Sequence, residues 1–537
     1  MAPSKDPLLS GVRSRGIDEG RQALGLRLAK EEDERAYDKS QQIDMSQYDD
    51  KDDEDVESGD YTPKFSWKKL WLFTGPGFLM SIAYLDPGNI ESDIQAGAGA
   101  GYSLLWLLMW ATVMGCIVQL LAARLGVATG CHLAELCREE YPFWARILLW
   151  LMTEIAIIGA DIQEVIGSAI AFRILANGMI PLWAGVLITG VDGFVFLLLE
   201  QFGVRKLEAL FGGFISIMAI SFAWMFAKTD PDGKAIITGL VIPTVPSNAV
   251  NIAVGIVGCV IMPHNIFLHS ALVQSRSLDI TKKSRLREAL RYYTIESSVA
   301  LCISFMINMF IMAVFAKGFY GQMERPNIGL INAGEYLEKE YGGGYFPILY
   351  IWAIGLLMAG QSSTMTGTYT GQFVMSGFLD LPVKKWVRVI VTRSVAIVPT
   401  IIIALIFDGS ENNLDRLNEW LNVLQSIQLP FALIPLLCLV SNQRVMGVFT
   451  ISRLMKVVVG LIAILVMAIN FYLMVVFVWD SNLQSVLALM AVALGALGYF
   501  GFIVYLLLQP STSDGLWATL TKKNDYRALS SDVPPLS

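Results

Sequence analysis

The sequence predicts an all-α polytopic membrane protein with twelve spans, of which the first and the sixth are broken. Three observations predict it. Apolar residues make up 54% of the 537 positions and charged residues only 16%, with a mean hydropathy of +0.53, whereas a soluble domain carries roughly 25% charged residues. From Phe65 onward, apolar stretches long enough to cross a bilayer follow one another. Two of these stretches hold a proline and several polar groups at mid-span, where a plain bilayer helix would have none.

Residues 1–65 come first. They are polar, contain the run Asp49-Asp50-Lys51-Asp52-Asp53-Glu54-Asp55 and lack apolar periodicity, so they are expected to form a disordered cytosolic tail. Asp6-Pro7-Leu8-Leu9 has the form of a dileucine address. No apolar leader core occurs there, so the first span is expected to direct insertion. The expected spans are 69–96, 102–125, 144–173, 179–200, 207–227, 249–273, 292–317, 345–372, 387–407, 417–440, 453–478 and 484–508.

Loop charge sets the orientation. Lys64, Lys68 and Lys69 precede the first span, Arg124 and Arg138 follow the second, and Arg205 and Lys206 follow the fourth. Arg276, Lys282, Lys283, Arg285, Arg287 and Arg291 follow the sixth, Lys384, Lys385 and Arg388 the eighth, and Arg444, Arg453 and Lys456 the tenth. The opposite loops carry acids, among them Asp230, Asp232, Glu335, Glu338, Asp408 and Asp480. Short basic loops stay cytosolic, so both termini are expected in the cytosol. No Asn-x-Ser/Thr acceptor occurs, so N-glycosylation is not expected.

The first break is Ser81-Ile82-Ala83-Tyr84-Leu85-Asp86-Pro87-Gly88-Asn89-Ile90. Proline removes a backbone donor and glycine the side chain that favours helical torsions, so the helix unwinds there. Freed carbonyls are tolerated in a membrane only where they line a cavity or bind something. Asp86 and Asn89 bring two oxygen-bearing side chains to the same point, which suits a cation. The second break, Cys259-Val260-Ile261-Met262-Pro263-His264-Asn265, adds a thioether and an imidazole. Paired interruptions in two halves of a chain mark a transporter's midplane site. Five spans per half invert the second half relative to the first. The expected division is therefore a tail at 1–65, repeats at 66–228 and 229–441, two further spans within 442–508, and a cytosolic tail at 509–537.

Asp86-Pro87-Gly88-Asn89, Met262-Pro263-His264-Asn265 and Gly360-Gln361-Ser362-Ser363-Thr364-Met365-Thr366-Gly367-Thr368-Tyr369, in this order, resemble the Nramp family of proton-coupled divalent metal transporters over about residues 65–508. Phe65-Ser66-Trp67-Lys68-Lys69-Leu70-Trp71 and Gly258-Cys259-Val260-Ile261-Met262 are most similar to the plant vacuolar branch. The resemblance implies a LeuT-like fold of two inverted five-helix repeats plus two helices, and symport of Mn²⁺ and Fe²⁺, often also Cd²⁺, with protons. It implies that Asp86, Asn89 and Met262 hold the metal, joined by the backbone carbonyls of Ala83 and Cys259 and, in the occluded state, by Asn422. It also implies a vacuolar or other endomembrane location.

A carboxylate at the bilayer centre costs ~3 kcal/mol or more without a partner, and no basic residue neighbours either break in the sequence. Thioether sulfur serves Mn²⁺, Fe²⁺ and Cd²⁺ but gives little to Ca²⁺ or Mg²⁺, so Met262 reads as a filter. In the third span Glu154, Asp161 and Glu164 recur at spacings of seven and three, which puts them on one side of a helix. Intramembrane acids of this kind mark proton relays. The resemblance runs the proton route through Asp161 and Glu164 to an arginine of the ninth span, Arg393 or alternatively Arg388, and gives His264 and His269 proton-handling roles. Histidine titrates in the range such roles need.

The six cysteines form no CxxC pair, and five of them read as packing groups, Cys259 being the exception because it lies in the second break. No nucleophile constellation, nucleotide-binding glycine loop or basic nucleic-acid patch occurs, so an enzyme is not expected, and no resident cofactor is expected either. The expected partners are divalent metal ions, protons and lipid, with the chain acting as a monomer. A receptor built on the same fold and a divergent Mg²⁺ carrier are the competing readings; the intact methionine argues against the second.

Overall fold

The computed structural model describes residues 43–44, 65–200, 204–278, 282–321, 328–342, 348–379, 385–406, 411–480 and 486–512. The dileucine, the acidic run and the tail from 513 onward lie outside the described residues.

In the first half, α1 (Trp67–Phe73) leads into α2 (Pro76–Ile82) and α3 (Pro87–Ala100), the two parts of the first span. Then come α4 (Leu105–Thr129), α5 (Leu133–Glu140), α6 (Phe143–Leu175), α7 (Leu182–Glu200) and α8 (Val204–Thr229). The second half opens with α9 (Gly233–Val241), followed by the sixth span as α10 (Val250–Val260) and α11 (Pro263–Leu272). After it run α12 (Lys283–Phe319), α13 (Ala333–Tyr341), α14 (Ile348–Leu379), α15 (Lys385–Ile406), α16 (Glu411–Gln428) and α17 (Pro430–Ser441). The short α18 (Gln443–Met446) precedes the last two spans, α19 (Arg453–Asp480) and α20 (Val486–Thr512).

Among the described residues all twelve expected spans fall on helices, and the breaks lie in the first and sixth. The ends differ where helices continue past the hydrocarbon into charged turns. The seventh span begins at Lys283 rather than at 292, because Arg285, Arg287 and Glu288 extend it as a helix beyond the apolar window. The amphipathic connectors α5, α9 and α13 were not expected, since they are too short for a spanning pattern.

Two residues of the N-terminal tail are among the described residues. Ile43–Asp44 (β1) pairs in parallel with Arg276–Ser277 (β2), a two-residue bridge beside an otherwise helical chain. A two-residue ladder has no apolar periodicity to betray it.

Close backbone approach holds α6 to α14, and small residues make it possible. A Cβ on Gly360 would lie 2.9 Å from the Glu164 carbonyl oxygen and 3.0 Å from the Ser168 nitrogen. A Cβ on Gly167 would run into the Pro87 ring. At the end of the bundle flanked by basic loops, the buried Arg276 donates to the carbonyls of Leu72 (3.0 Å) and Thr74 (2.8 Å) and pairs with Glu208 at 2.8 Å. This guanidinium binds the start of the first span to the fifth.

Candidate functional site

Each break is built in the same way: a proline opens the second half-helix at its first turn, where the missing N–H costs nothing. At the first break Asp86 is the N-cap of α3. Its Oδ1 accepts from the Asn89 backbone N–H at 3.1 Å and its Oδ2 from that of Gly88 at 3.3 Å, and the Asn89 side-chain amide donates to Oδ1 as well. The positive end of the helix dipole faces the carboxylate. Asp86 is fully buried, and among the described residues it has no ion-pair partner. Ala83, the C-cap of α2, closes the other side of the break.

The two breaks touch. Asn89 Nδ2 donates to the Cys259 carbonyl at 3.3 Å, while Asn89 Oδ1 is buried with no hydrogen-bond partner. The Cys259 thiol turns back along its own helix to the Ile256 carbonyl at 3.3 Å. Met262, buried, is the N-cap of α11 and supplies no cap hydrogen bond. Its side chain lines a small cavity with Met80, Tyr84, Gly115, Gln119 and Asn265. The amide groups of Gln119 and Asn265 are buried without hydrogen-bond partners.

Asn422 lies on α16, and its Oδ1 accepts a 2.8 Å hydrogen bond from Gln163 Nε2. Asp161 and Glu164 converge on α14: a Cβ on Gly367 would meet Asp161 Oδ1 at 2.5 Å and Glu164 Oε2 at 3.3 Å. Arg393 Nη1 stands 3.5 Å from Asp161 Oδ1, both side chains being buried. The side chain of Arg388 lies outside the described residues. Glu154 is separate from this group; it is half-buried and accepts from Trp150 on its own helix at 3.0 Å. His264 and His269 are buried on α11, and both nitrogens of His269 lack partners. Among the described residues no three His, Cys, Asp or Glu side chains cluster as a resident metal site would require.

Sequence reasoning missed the residues that hold the first break open, all on α12. Glu296 Oε1 accepts from the backbone N–H groups of Gly75 (2.5 Å), Gly77 (2.9 Å) and Phe78 (3.4 Å), which caps α2. Ser304 donates to the Ser81 carbonyl at 2.9 Å, and Asn308 Nδ2 to the Tyr84 carbonyl at 2.8 Å. These polar groups recur at spacings of eight and four on one helical face, a pattern that would have revealed them. On the far side of the break, Glu91 accepts from the Leu330 N–H at 2.8 Å.

The family model described as "Natural resistance-associated macrophage protein-like" (Nramp) matches residues 77–476. "Metal transporter Nramp3.2" of Populus trichocarpa is 66% identical over 433 residues, covering 80% of this chain and 85% of that one. "Metal transporter Nramp4" of Arabidopsis thaliana is 64% identical over 427 residues, covering 79% and 83%. Among solved structures, a manganese transporter mutant from Eremococcus coleocola superposes with a TM-score of 0.73 at 29% identity, covering 88% of this chain and 99% of that one. Mhp1, a nucleobase-cation-symport-1 family transporter, shares the fold at a TM-score of 0.50 and 16% identity, covering 74% and 92%. With the LeuT-like architecture, the two breaks and this breadth of match together, the chain belongs to the Nramp family of metal transporters, which are not enzymes.

Proposed function

We propose that this Nramp protein carries Mn²⁺ and Fe²⁺, and also accepts Cd²⁺, into the cytosol in symport with protons. Two inverted repeats, at 66–228 and 229–441, would alternate access around the breaks. The observation that carries the reading is the hydrogen bond from Asn89 to the Cys259 carbonyl beside Asp86. It brings the carboxylate, the amide and the carbonyl of opposite repeats to one buried point, with Met262 three residues beyond Cys259. One charge balanced by neutral oxygens and a thioether suits a dication of intermediate softness better than Ca²⁺ or Mg²⁺. The carbonyls of Ala83 and Cys259 complete the set, and Asn422 joins as the site closes.

Protons take the neighbouring path through Asp161, Glu164 and Arg393, with Asp86, His264 and His269 exchanging protons near the metal. The membrane is a vacuolar or other endomembrane, both tails face the cytosol, and the chain works as a monomer. Radiolabelled Mn²⁺ flux into proteoliposomes, with and without an inward proton gradient, tests this reading. Flux is expected to rise with the gradient and to disappear in Asp86→Ala. Undiminished flux in that variant would remove the site.

A further inference from the structure

Gln163 lies within the acid-bearing turn of the third span, yet none of the roles above uses it. Its side chain is 0% exposed. Its side-chain hydrogen bonds reach the tenth span: Nε2 donates to the Asn418 carbonyl at 3.0 Å and to Asn422 Oδ1 at 2.8 Å, and Oε1 accepts from Gln425 Nε2 at 2.7 Å. The same amide also borders the ion site. A Cβ built on Gly88 would lie 2.9 Å from Gln163 Oε1 and 3.0 Å from Asp86 Oδ2. The Gln163 amide and the Asp86 carboxylate therefore flank the same methyl-sized volume.

The oxygen that Asn422 would offer to a cation is thus already engaged by an N–H. The positive edge of an amide and a dication repel each other when they approach one carbonyl oxygen. A donor with both N–H groups spent on the tenth span is also well placed to set that helix's position relative to Asp86.

We propose that Gln163 is a positioning residue that keeps the Asn422 oxygen in reserve and releases it to the ion as the site closes. The inference rests on the metal site proposed above. Gln163 makes no contact with the ion. It competes for one of the ion's ligands, which weakens binding and gives Asn422 a neutral partner to return to when the ion leaves.

The test is initial-rate Mn²⁺ flux into proteoliposomes for Gln163→Leu, Asn422→Ala and the double variant. In Gln163→Leu the KM is expected to fall about 2- to 10-fold, the worth of one neutral hydrogen bond, while the maximal rate falls because release is slower. In the Asn422→Ala background the same change is expected to leave KM unaltered. A purely structural role would reduce the number of working transporters, and so the maximal rate, without tightening KM. Gln425→Leu, which loosens Gln163 but leaves Asn422 intact, is expected to lower KM to a smaller extent, and it decides the matter if Gln163→Leu does not fold. An unchanged or raised KM in the folded variants, or an equal shift with and without Asn422, overturns the proposal. Asp86→Ala in the same assay separates the two failures: if it still transports, the metal site is wrong, and if it is inactive while the cycle shows no coupling, only the role of Gln163 is wrong.

Discussion

Asn89 Nδ2 and the Cys259 carbonyl oxygen stand 3.3 Å apart, although 170 residues separate them in the chain. That contact joins one repeat's broken helix to the other's. It is the contact on which the proposed metal site rests.

The thioether of Met262 is expected to act through exclusion. Met262→Ala should retain part of the Mn²⁺ flux while Ca²⁺ and Mg²⁺ become effective competitors, because the remaining donors are hard oxygens. Competition assays in proteoliposomes measure this directly. Selectivity identical to that of the parent protein would leave the methionine as packing alone.

Removing the charge of either acid at the α6–α14 contact should separate metal movement from proton movement. Asp161→Asn and Glu164→Gln are expected to keep Mn²⁺ flux at equal pH on both sides and to lose most of its stimulation by an inward proton gradient. The readout is the ratio of the two rates. A ratio equal to that of the parent protein would argue that the Arg393–Asp161 pair only fixes helix register.

Glu296 is expected to matter for stability rather than for metal choice. Glu296→Ala strips the acceptor from the N–H groups of Gly75, Gly77 and Phe78, a loss of about 3 kcal/mol for buried donors left unpaired. The thermal midpoint in detergent should drop, whereas Glu296→Gln, which keeps an acceptor oxygen, should recover much of it. Equal midpoints for all three proteins would contradict this account.

Gly360 tests the contact that fixes the third span to the eighth. Its α-hydrogen side faces the Glu164 carbonyl and the Ser168 nitrogen, so the added methyl of Gly360→Ala meets backbone that cannot give way. Overpacking of this kind costs about 1–3 kcal/mol. Gly460, where an added Cβ meets nothing within 4 Å, is the control: Gly460→Ala should leave the thermal midpoint unchanged or slightly raised.

His132 gives the connector α5 a dependence on pH. Burial holds its imidazole below the usual value of 6.5, with the nearby Glu135 opposing that shift. The folded state thus favours the neutral ring, so stability is fully present above the usual histidine value and is lost as pH falls below it. Thermal midpoints measured from about pH 7.5 to about pH 5.5 should decline, and His132→Gln should flatten the decline through that histidine range. Parallel curves for the two proteins would assign the acid sensitivity to other groups.

The amino-acid sequence by itself determined the membrane class, the twelve spans, their order and the two breaks. These follow from local physics: a bilayer demands long apolar stretches, and proline with glycine interrupts a helix wherever it falls. The place of Asp86, Asn89 and Met262 in those breaks was legible for the same reason, since the prolines beside them mark the interruptions. Only the tertiary structure decided which distant groups meet them. The capping of α2 by Glu296, the hold of Ser304 and Asn308 on the carbonyls of the first span, and the engagement of Asn422 by Gln163 all depend on how separate helices pack. An amide or a carboxylate within a span shows by its cost that it must have a partner, but the partner's identity is settled only when two helices come within hydrogen-bond reach.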